Sequence, residues 1–344
     1  MRSSPTDDVP LRLAAVPLLG VALLLASCSS DEGGTTVTSA DSSTTVDTSS
    51  STTGSAEAAA GVERASAESE TAIAYADASP TETLDLYLPE SDGTAPVPVV
   101  VLLHPGAFQG GDSSMEATYA EALVDRGIAA AAVNYRLSGE ATFPAGAQDV
   151  KAAVRWLRAN AATYGLDPDH VGAWGQSAGG WFANLLGATG DQATVFDDEA
   201  LGNAEESSAV QAVVSWFGPT DFATMDEQAA ETNCPAGQAQ VHGTADSPES
   251  VWLGEAVDSS PTTEQTDIAA YVADAEVLPP WYLAHGDSDC LVPGGQSAEL
   301  SDALDAAGAE VTYTELAGAG HMDPAFDSTQ LTPTLDFLEQ ALAS

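Results

Sequence analysis

The chain has 344 residues, of which 52 are acidic and only 8 are lysine or arginine, so its formal charge is −44 at pH 7. A field of that sign repels nucleic acids and anionic membranes, which excludes both as expected partners. The three cysteines are far apart and form no cluster with histidine, so we expect no metal ion and no other cofactor.

The first 27 residues have the pattern of an export signal. Arg2 and Arg12 precede an uncharged stretch, residues 13–26, that is too short to span a membrane comfortably. The end of this stretch resembles a bacterial lipoprotein signal, in which cleavage leaves a lipidated Cys28 at the new N-terminus. We therefore expect an extracellular, cell-surface lipoprotein that reaches the membrane only through this anchor. An ordinary secreted protein is the alternative.

Composition divides the remainder of the chain into a tether and one domain. Residues 28–70 are rich in Ser, Thr, Ala and Gly and nearly lack large apolar side chains. Such a segment cannot bury enough surface to fold, so it is predicted to be a disordered tether. Residues 71–344 have a globular composition and a length that suits one α/β domain.

Apolar runs and helical stretches alternate along this domain, which predicts a mostly parallel central sheet with helices on both faces. An antiparallel pair at 72–76 and 84–88 is expected to open it. The other predicted strands are 97–104, 129–135, 170–174, 212–217, 279–285 and 309–316. The predicted helices are 115–126, 145–163, 178–188, 295–307 and 331–343. Residues 220–277 are acidic and loop-rich, and they are predicted to be an insertion that forms a lid or a pocket wall.

The most specific motif is Gly175-Gln176-Ser177-Ala178-Gly179, which follows an apolar strand and precedes a helical segment. Glycines on both sides of the serine permit a turn so tight that the serine hydroxyl is exposed at the end of the strand. This pattern is typical of a nucleophile elbow. Ser177 is therefore the candidate nucleophile.

Histidine 321 is the candidate general base. His321 lies in a glycine-rich loop directly after a predicted strand, where core packing explains a histidine poorly. His104 is interpreted as a residue that orders its own loop. His170, His242 and His285 are interpreted as turn or surface residues.

Three carboxylates compete for the role of the acid. Asp287 and Asp289 follow the predicted strand 279–285, and Asp221 follows the preceding predicted strand. The carboxyl ends of parallel strands form one rim of the sheet, where a ligand site is expected. Each of the three could therefore reach the base.

The region 134–187 resembles the esterase/lipase-type α/β-hydrolases, and the similarity extends over about residues 70–344. The stretches that carry it are Tyr135-Arg136-Leu137-Ser138, Phe143-Pro144-Ala145, Asp149 to Asn160, Gly165-Leu166-Asp167-Pro168 and the elbow. Within these hydrolases the chain is most similar to the group that includes bifunctional acetylxylan and feruloyl esterases, with hormone-sensitive-lipase-like enzymes as near neighbours. The resemblance implies an α/β-hydrolase fold and a serine hydrolase that works through an acyl-enzyme.

The same resemblance implies roles for individual residues. The H-G-x-x-D-x-x-V-P pattern that begins at position 285 implies Asp289 as the acid, and Asp287 would then cap the turn. The loop from His104 resembles the H-G-G-G oxyanion loop, with Pro105 and an alanine in place of two glycines. An oxyanion hole needs backbone N–H donors in small residues, and these are expected to be Gly106, Ala107 and Ala178. The aromatic candidates for the walls of the substrate pocket are Phe108 and Trp181.

Cys234 and Cys290 remain as a pair in a protein that is expected outside the cytosol. A disulfide between them is therefore expected, with two free thiols as the alternative. The bond would tie the insertion to the turn that bears Asp289.

The sequence thus predicts a serine carboxylic-ester hydrolase that acts on a small-molecule or polysaccharide-linked ester, with acetyl and feruloyl esters as candidates. One alternative is a serine peptidase of the prolyl oligopeptidase type. A non-catalytic surface binding protein is another, although the complete set of Ser, Asp and His disfavours it.

The acidic excess predicts that salt stabilises the fold. Repulsion among the carboxylates weakens as the Debye length falls from about 30 Å at 0.01 M salt to about 3 Å at 1 M. We expect the melting temperature to rise over this range in a calorimetric scan. NaCl and KCl should act alike, because screening depends on ionic strength rather than on a bound ion. A melting temperature that does not change with salt would refute self-repulsion.

Overall fold

The computed structural model describes residues 68–343, apart from 92, 94, 233 and 236. The predicted signal peptide and Cys28 lie outside the described residues, as does the predicted tether up to residue 67. Residues 68–70, which composition assigned to the tether, belong to the first strand instead.

Strands follow one another along the described chain much as the apolar runs predict. They are β1 (Glu68–Ala74), β2 (Thr83–Leu88), β3 (Val97–Leu103), β4 (Ala129–Val133), β5 (Leu166–Gln176), β6 (Ala212–Trp216), β7 (Trp281–Gly286) and β8 (Val311–Leu316). The main departure is β5, which begins before the predicted residue 170. Residues 167–170 of this strand lack an apolar run, but Leu166 is buried and pairs with Val97 across an irregularity in the ladder.

These strands form one sheet in the order β1-β2-β4-β3-β5-β6-β7-β8. The pairs β1/β2 and β2/β4 are antiparallel, and all other neighbours are parallel. The predicted opening pair and the mostly parallel sheet are therefore confirmed. The strands β5 to β8 are successive neighbours, so their carboxyl ends lie side by side on one edge.

Helices cover both faces of the sheet. They are α1 (Ala117–Val124), α2 (Ala145–Tyr164), α3 (Ala178–Thr189), α4 (Met225–Glu231), α5 (Pro248–Leu253), α6 (Ile268–Asp274), α7 (Gly295–Ala307) and α8 (Leu331–Ala341). The five predicted helices are confirmed to within a few residues. No helix in the described ranges has the length and apolar character that a membrane span requires.

Two apolar layers pack on the sheet. Side chains alternate between them along β3, with Val101 in one layer and Leu102 in the other. The layer that contains Leu102 also holds Leu123 of α1 and side chains of α8. The opposite layer holds Leu300 of α7 together with side chains of α2 and α3. The sheet is thus buried on both faces, which explains its continuous apolar runs.

In its described residues the insertion 220–277 contains three short α-helices, the 3-10 helix Thr263–Thr266 and no strand. Each α-helix is only about two turns long, which is too short for an apolar period to predict. Local caps are the signal that could have found two of them. Ser247 accepts the N–H of Ser250 at the start of α5, and Asp267 accepts the N–H of Ala270 at the start of α6.

One carboxyl group in the core has no ion-pair partner among the residues that the structure describes. Glu116 ends the short 3-10 helix Ser113–Glu116 and is 1% exposed. Its Oε1 has no hydrogen-bond partner among the described residues. Burial disfavours the charged form and raises the pKa of Glu116 to about 8.

This buried carboxyl should make stability depend on pH. The folded state keeps the proton of Glu116 up to about pH 8, whereas the unfolded chain releases it near its ordinary pKa of 4.5. The stabilisation that Glu116 contributes to the folded state is therefore complete below about pH 4.5 and is lost as the pH rises through about 8. Relative to Glu116→Gln, which carries no charge at any pH, the wild type should lose about 4 kcal/mol of unfolding free energy between pH 5 and pH 9. Denaturant titrations at several pH values measure this difference.

Glu121→Gln is the matched control, because Glu121 lies nearby on α1 and is exposed. Its stability curve should run parallel to that of the wild type. Parallel curves for Glu116→Gln as well would show that Glu116 is ionised in the folded protein throughout this range.

Candidate active site

The turn between β5 and α3 has the geometry that the glycine spacing predicts. Ser177 has φ 52° and ψ −121°, a strained backbone for a residue other than glycine. A Cβ atom on Gly175 would lie 1.9 Å from the carbonyl oxygen of Gly179, and one on Gly179 would lie 1.8 Å from the carbonyl oxygen of Leu103. Only glycine fits at either position. The turn holds the hydroxyl of Ser177 at the carboxyl edge of the sheet.

A line of contacts through two further side chains starts at this hydroxyl. His321, in the loop after β8, places Nε2 2.9 Å from Oγ of Ser177. Its Nδ1 lies 2.7 Å from Oδ2 of Asp289, in the turn after β7. A carboxylate can only accept, so Nδ1 carries the hydrogen and Nε2 of the neutral ring accepts from the serine. The imidazole is therefore oriented to remove a proton from Ser177.

Asp289 is almost fully buried, and hydrogen bonds hold both of its oxygens. Oδ1 accepts the N–H groups of Leu291 at 2.9 Å and Val292 at 3.0 Å. Burial by itself raises the pKa of Asp289, but the imidazoles of His285 and His321 outweigh burial and hold that pKa well below its usual range. The carboxylate thus stays charged beside His321.

The other two acid candidates have different contacts. Asp287 accepts the hydroxyl of Ser288 and, at 2.7 Å, the N–H of Gly318. Asp221 accepts the N–H of its neighbour Ala223. Of the three carboxylates, only Asp289 has a hydrogen bond to His321 within the described part of the chain.

The loop after β3 turns back on itself close to the elbow, since a Cβ atom on Gly179 would lie 2.8 Å from the carbonyl oxygen of His104. Gly106 has φ 138° and Ala107 has φ 56°. A Cβ atom on Gly106 would lie 1.9 Å from the carbonyl oxygen of Gly110, so the turn requires glycine there. In the described chain, the backbone N–H groups of Ala107 and Ala178 have no hydrogen-bond partner. Both remain available to an oxyanion, and Ala178 also begins α3, where the helix dipole favours negative charge.

The side chain of His104, at the start of this loop, packs in the core and fixes the loop. Its ring stacks on Tyr135 with centroids 4.3 Å apart, and the Tyr135 hydroxyl donates to the His104 carbonyl oxygen at 2.7 Å. Burial lowers the pKa of His104. The side chain thus orders the loop, in agreement with its interpretation from the sequence.

The structure buries both aromatic pocket candidates. Phe108 is 2% exposed and stacks on Trp252 with ring centroids 4.2 Å apart. Trp181 is fully buried and donates its indole N–H to the carbonyl oxygen of Thr266. Trp252 and Thr266 belong to the insertion. The two candidates therefore anchor the insertion to the core, and neither forms an open wall.

The sequence patterns gave the wrong environment for two histidines and did not indicate one aromatic residue of the site. The interpretation of His242 and His285 as turn or surface residues is wrong, because both are at most 1% exposed. The signal for His285 was its place inside a continuous apolar strand. Phe217, which follows β6 with φ 41°, packs its ring edge against the imidazole of His321, with centroids 4.8 Å apart. No sequence pattern singled it out.

Cys234 and Cys290 form a disulfide, as expected. The carbonyl oxygen of Cys290 also accepts the N–H of Gln240 at 2.8 Å. The insertion is thus attached to the turn of Asp289 at two points.

The sheet order and the turn at Ser177 define an α/β-hydrolase fold. The chain matches the BD-FAE family over residues 84–304, and it belongs to that family.

Relatives and solved structures agree with this membership. The chain is 30% identical over 274 residues to LipM, a probable carboxylic ester hydrolase of Mycobacterium tuberculosis, and the match covers 79% of this chain and 60% of LipM. A truncated carbohydrate esterase from gut microbiota is 29% identical with a TM-score of 0.70, over 82% of this chain and 99% of that one. A bifunctional GH43-CE protein of Bacteroides eggerthii is 30% identical with a TM-score of 0.70, over 80% of this chain and 35% of that one.

The close approach at the elbow predicts that Gly179→Ala is strongly destabilising. The added methyl group meets a backbone oxygen that cannot rotate away, so α3 or β3 must shift. We expect a loss of at least about 1–3 kcal/mol of unfolding free energy, measured by urea titration. Gly139→Ala is the matched control, because a Cβ atom there meets nothing within 4 Å. Equal stability of the two variants would contradict the tight turn.

Proposed function

We propose that the protein is a serine carboxylic-ester hydrolase in which Ser177, His321 and Asp289 form the catalytic triad. The observation that carries this proposal is the line of contacts from Oγ through the imidazole to the carboxylate, at 2.9 Å and 2.7 Å. Membership of the BD-FAE family and similarity to LipM support the ester as the bond that is cleaved.

The geometry suggests how the first half of the reaction runs. His321 takes the hydroxyl proton of Ser177 as Oγ attacks the ester carbonyl carbon. Asp289 stabilises the imidazolium and keeps its Nδ1–H in place. The N–H groups of Ala107 and Ala178 receive the negative oxygen of the tetrahedral intermediate, worth about 3 kcal/mol each in comparable sites. His321 then protonates the alcohol, which leaves, and the acyl group stays on Ser177.

Water completes the cycle. His321 takes a proton from a water molecule, whose oxygen attacks the acyl carbonyl carbon. When this second intermediate collapses, His321 returns the proton to Oγ of Ser177 and the carboxylic acid is released. Asp289 remains a carboxylate throughout.

We propose a short acyl group, such as acetyl, as the preferred substrate group. Phe108 of the loop after β3 is buried and stacks on the buried ring of Trp252, which leaves no room for a long acyl chain between them. Similarity to a carbohydrate esterase supports an acetylated or feruloylated polysaccharide as the carrier of the ester. The signal pattern and Cys28 support export and a lipid anchor, which would place the enzyme where such polymers occur.

Hydrolysis of 4-nitrophenyl acetate, butyrate and octanoate tests this proposal. We expect the acetate to be cleaved fastest, and Ser177→Ala to lower kcat by up to about 10⁶-fold because the nucleophile is lost. The variant should melt at the wild-type temperature. Ser259→Ala, at an exposed position, is the control and should keep full activity.

Wild-type rates in Ser177→Ala would refute the triad. A folded wild-type protein that cleaves no ester but hydrolyses a peptide amide would identify a peptidase instead. Failure of a fluorophosphonate probe to label Ser177 would leave only a binding function.

A further inference from the structure

His285 is a second imidazole beside the acid of the triad. It lies in β7, four residues before Asp289, and it is fully buried. The mechanism above assigns it no role. It nevertheless faces Oδ2 of Asp289, the same carboxylate oxygen that accepts the hydrogen bond of His321.

Its partners define which nitrogen carries the hydrogen. Nε2 lies 3.0 Å from the carbonyl oxygen of Val292, which can only accept a hydrogen bond. Nε2 is therefore protonated. Nδ1 lies 2.7 Å from Oγ of Ser297, in the first turn of α7, and in the neutral ring it accepts the serine hydroxyl. One tautomer thus satisfies both neighbours.

The N–H end of this ring also faces the triad. Nε2 of His285 lies 3.4 Å from Oδ2 of Asp289, and Nδ1 of His321 lies 2.7 Å from the same oxygen. Val292 closes the arrangement, because its carbonyl oxygen accepts from His285 while its N–H donates to Oδ1 of Asp289. Rotation of the carboxylate would break contacts on both of its oxygens.

We propose that His285 is a positioning residue for the reaction. It holds Asp289 in the orientation in which Oδ2 accepts the Nδ1–H of His321, and Ser297 fixes the tautomer that does so. This inference rests on the proposed function, since it assigns His285 a part in the same triad.

Three substitutions of His285 separate positioning from packing. Leucine retains the bulk but has no donor. The amide of glutamine can reach the place of Nε2, whereas the shorter amide of asparagine reaches only the place of Nδ1. With 4-nitrophenyl acetate, His285→Leu and His285→Asn should lower kcat about a hundredfold, as expected for a misplaced catalytic group, while KM stays the same. His285→Gln should recover most of the loss, and Ser297→Ala should show a smaller loss of kcat.

A spectroscopic measurement tests the same contact without catalysis. In the Ser177→Ala background, the proton between His321 and Asp289 should give a downfield NMR resonance. His285→Leu should shift or broaden it, and His285→Gln should restore it. Since this readout needs no turnover, it distinguishes failure of the positioning role from failure of the proposed esterase activity.

Unchanged kcat and an unchanged resonance in His285→Leu would overturn the proposal. Equal losses of kcat in the glutamine and asparagine variants, together with equally lowered melting temperatures, would also overturn the proposal. They would show that His285 only packs in the core. If His285→Leu does not fold, the glutamine and asparagine variants and Ser297→Ala decide the question.

Discussion

The close approach of the backbone around Ser177 is the constraint on which the rest of the site depends. Gly175 meets the first turn of α3, and Gly179 meets the end of β3, at distances that exclude any side chain. These contacts hold Ser177 in a strained conformation and direct its hydroxyl out of the edge of the sheet. They also leave the N–H of Ala178, the next residue, without a partner among the described residues. One steric constraint therefore positions both the Ser177 hydroxyl, the candidate nucleophile, and the N–H of Ala178, a candidate oxyanion donor.

Backbone hydrogen bonds extend this edge across the next three strands. The N–H of Ser177 donates to Trp216, that of Phe217 donates to Ala284, and that of Asp287 donates to Leu316. Each strand end is thus tied to the following one just where its loop leaves the sheet. The loops that carry Ser177, Asp289 and His321 therefore start from fixed points, as parallel neighbouring strands allow.

The surroundings of Asp289 distinguish it from the other acidic residues. Asp289 is buried, its carboxylate accepts two backbone N–H groups, and it faces two imidazoles. Glu116 shows the opposite outcome of burial, because without such donors its pKa rises to about 8. Hydrogen-bond donors, rather than burial, decide which buried carboxyl stays charged.

The sequence by itself determined the fold class and the glycine turn at Ser177, and it singled out His321 as the candidate base, because these depend on short-range patterns. Strand and helix periods extend over a few residues, and the glycines that shape the turn at Ser177 stand within two positions of it. Only the tertiary structure decided which aspartate meets His321, because that choice depends on a contact across 32 positions of the chain. The same reason explains the misreading of His285 and of the aromatic pocket residues. Whether a side chain is exposed depends on the elements packed on it, and the insertion that covers Phe108 and Trp181 has no pattern that places it.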